Sequence, residues 1–264
     1  MTDCAFFFQG GAILLPEGAS AALNPELPLA RAKDFPLADV FALPGIIPDG
    51  AASCVDVPPE AALPPHWQAI PLRQVISALP DCLTGETGMA AKLIRVFHIA
   101  QWRRESKFCG TCGAKNTSHA EEFARLCPSC GRVEYPRIAP AVITLITNNE
   151  GKALLAHNRK FAPGVYSLIA GFAEAGENLE AAVARETHEE AGIEICDIRY
   201  LLSQPWPFPY SLMTGFSARY ASGTIRPDGV EIEDVQWFSR DSLPSLPGTG
   251  SISRRLIEQW KNSG

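Results

Sequence analysis

The sequence is short of positive charge. Its 264 residues hold 23 Lys and Arg against 29 Asp and Glu, a formal net charge of −6 with a pI near 5.4. Broad electrostatic capture of nucleic acid needs a basic surface, so this balance argues against it, although a local basic pocket is still allowed. Long apolar runs are also missing. No stretch approaches the roughly 18 consecutive apolar residues of a membrane span. The first residues, MTDCAFFFQGGAILLPEG, include an acid and no early Lys or Arg, unlike a secretory leader. The last, WKNSG, carry no lipidation or peroxisomal signal. These absences point to a cytoplasmic chain with no membrane partner. What is present, 46% hydrophobic and 20% charged residues, suits a globular protein with room for two domains.

Cysteine is unevenly distributed. Cys4, Cys54, Cys82 and Cys196 are scattered, whereas Cys109-x2-Cys112 and Cys127-x2-Cys130 form two tight pairs fourteen residues apart. In a reducing compartment such pairs suggest metal, and scattered cysteines suggest small core residues or free thiols. Two knuckles at this spacing are expected to form a four-thiolate zinc ribbon, with Gly110, Gly113 and Gly131 allowing the tight turns. Four protein ligands close a tetrahedral Zn²⁺ site and leave no position for a reactive water, so this zinc reads as structural. A redox pair and a nucleic-acid-binding ribbon are the alternatives. Against the latter, the insert between the pairs sets Glu121 and Glu122 against Lys115 and Arg125.

Before the ribbon, residues 1–87 are rich in Ala, Pro and Leu. Short apolar runs at Phe6–Phe8, Ala12–Leu15, Val40–Leu43 and Trp67–Leu72 are separated by Pro and Gly, which favours short strands and turns. No catalytic pattern occurs here, and His66 reads as a packing or surface residue. Residues 88–107 predict an amphipathic helix with Leu93, Ile94, Phe97 and Ala100 on one stripe. Arg95, Arg103 and Arg104 read as its solvated face, with RNA or phosphate binding as the alternative, and His98 as structural.

The densest chemistry lies at Gly171–Ile193, GFAEAGENLEAAVARETHEEAGI. Between Glu174 and Glu190 stand six glutamates against one arginine, Arg185. Asn178 predicts the cap of a helix ending near Gly192. On that helix Glu186, Glu189 and Glu190 are spaced i, i+3, i+4 and crowd one face, which costs roughly 0.2–0.5 kcal/mol per like-charged pair. Divalent cations offset such crowding, and clustered carboxylates are hard ligands suited to Mg²⁺ or Mn²⁺. Around this stretch the pattern predicts strands at Ala141–Thr147 and Lys152–His157, joined by a turn at Asn148–Gly151. Further apolar runs at Tyr166–Ala170, Ile193–Leu202, Leu212–Tyr220 and Val235–Phe238 follow, then a closing helix at Ser253–Lys261. Between two of these strands, Ser203-Gln204-Pro205-Trp206-Pro207-Phe208-Pro209-Tyr210-Ser211 reads as a proline-stiffened loop. Trp206 and Phe208 would wall a flat heterocycle, with Gln204 and Ser211 supplying hydrogen bonds.

Gly171, Glu177, Arg185-Glu186, Glu189-Glu190, Gly192 and Ile193 reproduce the Nudix box, G-x5-E-x7-R-E-U-x-E-E-x-G-U, with Thr187 in place of one bulky apolar residue. Together with the cysteine pairs and the array at 203–211, the chain from about residue 88 resembles the NADH pyrophosphatases of the Nudix superfamily, the NudC type. The resemblance implies an α/β/α Nudix sandwich with a mixed sheet (α+β), preceded by a zinc ribbon and a β-rich N-terminal domain. The expected boundaries are 1–104, 105–136 and 137–264. It implies catalytic Mg²⁺ or Mn²⁺ held by Glu186, Glu189, Glu190, the Ala170 carbonyl and Glu231, with Glu233 as fallback for the last. Glu189 is either a metal ligand or the group that activates water, and Glu177 is tied to Arg185 and the metal shell. Glu122, Tyr135, Phe172, the backbone around Ser253, and residues 204–211 resemble substrate contacts; many relatives have Ala where Ser253 stands, which leaves its hydroxyl unexplained. The implied reaction is hydrolysis of the NAD(H) pyrophosphate to NMN(H) and AMP, and removal of NAD caps from RNA, by a homodimer. The rivals are a broader pyrophosphatase acting on ADP-ribose, diadenosine compounds or FAD, and a non-catalytic regulator that binds nucleic acid through the ribbon. Inert relatives usually lose box glutamates, and all four are present here.

Overall fold

The structure, a computed structural model, describes residues 4–19, 25–43, 52–79 and 88–263; Cys82 lies outside them. The chain divides into two compact units, Met1–Arg137 and Ile138–Gly264.

The first unit opens with β1 (Cys4–Gln9), β2 (Ala12–Pro16), β3 (Leu27–Pro28) and a 3-10 turn (Leu29–Asp34). β4 (Asp39–Ala42), β5 (Ala52–Val57), β6 (Trp67–Pro71), α1 (Leu72–Ala78) and α2 (Met89–Glu105) follow. The sheet order is β4-β5-β1-β2-β6, with β3 on β1. Among the described strands of this sheet, only the β1–β5 pair is parallel. β1 is central, so its Phe6-Phe7-Phe8 run is buried on both faces. Phe7 packs against Phe35 and Trp67 at ring distances of 5.8 and 5.3 Å, and Phe8 against Phe97 of α2 at 5.6 Å. The stripe read from the sequence, Leu93, Ile94, Phe97 and Ala100, is the buried face of α2. Arg104 of that helix is not a solvated cation, because it pairs with the buried Asp56. His66 is exposed with φ +68, and His98 bonds the Arg137 carbonyl at 2.6 Å. The run at Trp67–Leu72 is a strand only as far as Pro71. Leu72 starts α1, since proline fits the position just before a helix, where no amide partner is needed.

The ribbon belongs to this unit as β7 (Thr117–Ser118), β8 (Arg125–Leu126) and β9 (Val133–Glu134), an antiparallel three-stranded sheet.

The second unit runs β10 (Ala139–Thr147), β11 (Ala153–Asn158), β12 (Ile169–Phe172), α3 (Leu179–Ala191), β13 (Ile193–Trp206), β14 (Ser211–Gly223), β15 (Ile232–Phe238) and α4 (Ile252–Asn262). Its sheet order is β13-β14-β10-β11-β15 with β12 on β10, and β10–β14 is its parallel pair, so the sheet is mixed. Alternation along β10 feeds two cores. Ile143 and Leu145 pack with Leu256, Ile257 and Trp260 of α4. On the α3 side, Val142 packs with Ala182, Val183 and Phe216, while Ile146 packs with Ala191 and Ile193. One helix on each face makes the α/β/α sandwich.

The proline-rich array is not a free loop, which corrects the sequence reading. β13 continues through Trp206, pairing Ser203 with Thr214 and Trp206 with Ser211, and only residues 207–210 turn the chain. β13 is an edge strand, and an edge tolerates the amide that Pro205 lacks. The Phe208–Pro209 peptide is cis. Among the described residues no helix is long and apolar enough to cross a membrane.

Candidate active site and zinc ribbon

The box is a strand, a loop and a helix held in register by local bonds. Asn178 caps α3 by accepting the Ala181 N–H at 2.8 Å. Gly192, at φ +71, closes it by donating to the His188 carbonyl at 2.9 Å. Thr187, the departure from the box, is fully buried and returns its hydroxyl to the Val183 carbonyl at 2.7 Å. The methyl packs and the hydroxyl is satisfied within the helix, so the fold absorbs the polar atom.

Arg185 organises the acids around this helix. Its Nε and Nη2 donate to the two oxygens of Glu177 at 2.9 and 3.0 Å, a bidentate pair. Nη1 reaches Glu186 and Glu189, each at 2.9 Å, and Nη2 also reaches the Phe172 carbonyl at 2.8 Å. Glu177 additionally accepts the Glu174 N–H at 3.0 Å. Bonding to Arg185 first, then to Glu174, holds the Glu177 carboxyl below its ordinary range. Glu177 thereby anchors the arginine that aligns Glu186 and Glu189.

Glu190 has no such support. It is buried, and its Oε2 has no hydrogen-bond partner. Burial first, then the charges of Glu186, Glu231 and Asp228, push its pKa to about 8 against a lowering by the Ala170 N–H. Burial likewise raises Glu186, opposed by Arg185. Leaving a buried polar atom unpartnered costs about 1–3 kcal/mol. Carboxyl groups that desolvate and repel one another in this way match the preference of a hard divalent cation, whose charge would favour their ionised, acceptor-only form. Gly171 shapes the same place: a Cβ there would stand 1.9 Å from Glu186 Cδ, so only glycine leaves room for that carboxylate. The residues present therefore fit a divalent ion.

Glu231 immediately precedes β15, and its charge acts on Glu190. Glu233, the fallback, lies 3.8 Å from His157 instead. Two residues here were missed by sequence reasoning. Asp228 holds the turn before Glu231, and Lys160 Nζ lies 3.9 Å from the Glu231 carboxylate. The Pro227-Asp228-Gly229 turn signal was the one available cue for Asp228.

The expected substrate contacts are distributed as follows. Phe172 is half exposed at the end of β12. Trp206 and Phe208 meet edge to face at 5.4 Å, while Tyr210 and Ser211 are buried. The Gln204 side chain has a task within the fold: its oxygen accepts the Ile252 N–H at 2.8 Å and its amide donates to the Gly250 carbonyl at 2.9 Å. That ties the array to the start of α4. The Ser253 hydroxyl, unexplained in the sequence, bonds Ser167 Oγ at 2.8 Å and accepts the Leu168 N–H at 3.4 Å. In the first unit Tyr135 donates to Glu122 at 2.6 Å, and both are exposed.

The ribbon brings Cys109, Cys112, Cys127 and Cys130 together with every sulfur within 4.8 Å of the others. Neighbouring sulfurs lie at 3.7 Å (Cys109–Cys130) and 3.5 Å (Cys112–Cys127). A tetrahedron of Zn–S bonds of about 2.3 Å has edges of about 3.8 Å, so the cage fits Zn²⁺. Gly113 and Gly131, each at φ +74, donate to the Cys109 and Cys127 carbonyls at 2.9 Å and close the knuckles. Gly110 also lies in the first knuckle's turn, without a positive φ. Backbone N–H groups of the knuckles draw the Cys109 and Cys127 thiols down, while, against the Arg132 N–H, the neighbouring sulfurs push Cys130 up to about 12, so the cluster shares protons that a metal would displace.

A mixed sheet between two helices, with an Arg-ordered carboxylate helix opening beside a glycine strand end, defines a Nudix domain. The NUDIX domain pattern matches residues 137–260, and the NADH pyrophosphatase zinc ribbon domain matches residues 104–135. The chain is 42% identical to the NAD-capped RNA hydrolase NudC of Deinococcus radiodurans over 249 residues, covering 92% of this chain and 80% of that one. It is 46% identical to the NAD-capped RNA hydrolase NudC of Pseudomonas aeruginosa over 190 residues, 72% of this chain and 66% of the relative's length. A crystal structure of a Nudix hydrolase from Nitrosomonas europaea aligns with a TM-score of 0.46 at 27% identity, over 58% of this chain and 87% of that one. The chain belongs to the NudC family of Nudix hydrolases.

Proposed function

We propose that this protein hydrolyses the pyrophosphate bond of NAD(H) to NMN(H) and AMP, and removes NAD caps from RNA 5′ ends by cleaving the same bond. The observation that carries the reading is the orphaned, buried Glu190 oxygen in the shared field of Glu186 and Glu231, a carboxylate cluster whose donor set suits a divalent ion. The named relatives and the 203–211 array support the choice of diphosphate.

Glu186, Glu189, Glu190, Glu231 and the Ala170 carbonyl would hold Mg²⁺ or Mn²⁺. Bound there, a divalent ion neutralises phosphate charge and lowers the pKa of a coordinated water. Glu189, exposed like Glu231 and unlike Glu186 and Glu190, receives the proton as the water oxygen attacks phosphorus and the bridging P–O bond breaks. Glu177 and Arg185 keep Glu186 and Glu189 aligned. Trp206, Phe208 and Phe172 offer flat surface for the heterocycles; Pro205, Pro207, Pro209, Tyr210 and Ser211 shape the hairpin. Glu122 and Tyr135 are proposed substrate contacts on the first unit, and Zn²⁺ on the four cysteines is structural. The reading includes domains at 1–104, 105–136 and 137–264, a cytoplasmic location and a homodimer, the last testable by light scattering.

The test is side-by-side hydrolysis of NADH, ADP-ribose and NAD-capped RNA with Mg²⁺ and Mn²⁺, products identified by mass spectrometry. NMNH and AMP from NADH as the preferred reaction are expected. A preference for ADP-ribose would replace this reading with that of a broader pyrophosphatase.

A further inference from the structure

Glu231 sits on a turn that is more tightly bonded than its neighbours in sequence require. Asp228 Oδ1 accepts three successive backbone N–H groups, from Val230 at 2.9 Å, Glu231 at 3.1 Å and Ile232 at 2.8 Å, and Oδ2 is 3.3 Å from the Glu231 N–H. Gly229, at φ +70, completes the reversal by donating to the Ile232 carbonyl at 3.1 Å. The opposite side is held as well. The Arg159 N–H donates to the Glu231 carbonyl at 3.0 Å, and Arg159 Nη2 donates to the Gly229 carbonyl at 2.9 Å. Both backbone groups of Glu231 are thus committed, one to Asp228 and one to Arg159, and the turn meets β11 where the β11–β15 register shifts at His157/Asn158.

We propose that Asp228 is a positioning residue that fixes the backbone of Glu231 so that its carboxylate is presented to the Glu190 cluster. The inference rests on the assignment of Glu231 as a metal-binding residue. Asp228 does not itself bond the box acids. It acts through three amides, which otherwise would be free to let the turn open at the start of β15. Asparagine keeps the Oδ1 acceptor for those three amides and loses the charge and the longer Oδ2 contact to the Glu231 N–H, whereas alanine loses both oxygens. Second-layer residues of this kind typically contribute about 10–100-fold in metal affinity or activity.

The experiment compares Asp228→Ala, Asp228→Asn, Glu231→Gln and the Asp228→Ala/Glu231→Gln double variant in the full chain. Mn²⁺ affinity is read by isothermal titration, alongside kcat and KM for NADH and amide hydrogen exchange at residues 230–232. Asp228→Ala is expected to weaken Mn²⁺ binding about tenfold or more, to lower kcat with little change in KM, and to speed exchange at 230–232. Asp228→Asn should rescue most of the affinity, and in the Glu231→Gln background Asp228→Ala should add less than about twofold, the signature of one residue acting through the other. Unchanged Mn²⁺ affinity in Asp228→Ala, an equal loss in Asp228→Asn, or an additive loss in the double variant would each overturn the proposal. If Glu231→Gln alone leaves affinity and turnover intact, it is the assignment of Glu231 that fails.

Discussion

Replacing Gly171 by alanine should separate activity from stability in this protein. The added Cβ would stand 1.9 Å from Glu186 Cδ, 2.0 Å from Oε1 and 2.2 Å from Oε2. Carbon atoms in contact settle at about 3.5 Å or more, so the carboxylate must retreat by about 1.6 Å. Gly171 has no positive φ, so alanine adopts its backbone without strain. The obstacle is the far end of a flexible side chain, and the fold can yield there. A small gain from restricting the unfolded chain, about 0.4–1 kcal/mol, offsets part of the lost Arg185–Glu186 bond. Net stability should therefore move by no more than about 1 kcal/mol. Activity should not be spared, because a misplacement of about 1 Å in a reacting constellation costs about 100-fold, or about 2.7 kcal/mol of transition-state stabilisation. The assay is steady-state NADH hydrolysis followed by chromatography of AMP, with urea unfolding and Mn²⁺ titration on the same preparations. A Gly171→Ala protein that turns over NADH within threefold of wild type would refute the argument that Glu186 must occupy that space.

Glu189→Gln should keep the fold and depress turnover by orders of magnitude; a rate near wild type would remove Glu189 from the water-activating role. Cys109→Ser with Cys112→Ser should abolish bound zinc by elemental analysis and lower Tm, and an equally stable variant would make the ribbon dispensable. Asp56 yields a pH prediction. Burial raises it from 3.8 to about 6 despite the Arg104 guanidinium beside it. A carboxyl raised in the folded state contributes stability that is present below its unfolded pKa and lost as pH climbs through the folded value. Wild type should therefore lose stability relative to Asp56→Asn between pH 4 and 6.5, by about 3 kcal/mol at most. Urea melts across that range check it, and a difference that grows in favour of wild type would contradict the burial argument.

Much of the site was legible because its bonds are local. The i, i+3, i+4 glutamates, the Asn178 cap, the Gly192 stop and the cysteine knuckles are sequence-adjacent features whose geometry follows from helix and turn periodicity alone. The α2 stripe was legible for the same reason. Where the reading slipped, a distant partner decided. The 203–211 segment became strand because β14 was there to pair with it, and Arg104 left the solvated face because Asp56, 48 residues away, lay buried within reach.

By itself, then, the sequence determined the chemistry available: a carboxylate helix, a four-thiolate cage and a stiffened aromatic hairpin, each encoded within a short window. Tertiary structure alone decided how those pieces are supplied with space and support. Gly171 matters because Glu186 swings against it from another element. Gln204 is spent on the start of α4, Ser253 on Ser167, and Asp228 on the turn before Glu231. Glu190 is short of a partner only because the folded chain buries it. Desolvation and cross-element contact have no local signature, and no spacing rule along the chain encodes them.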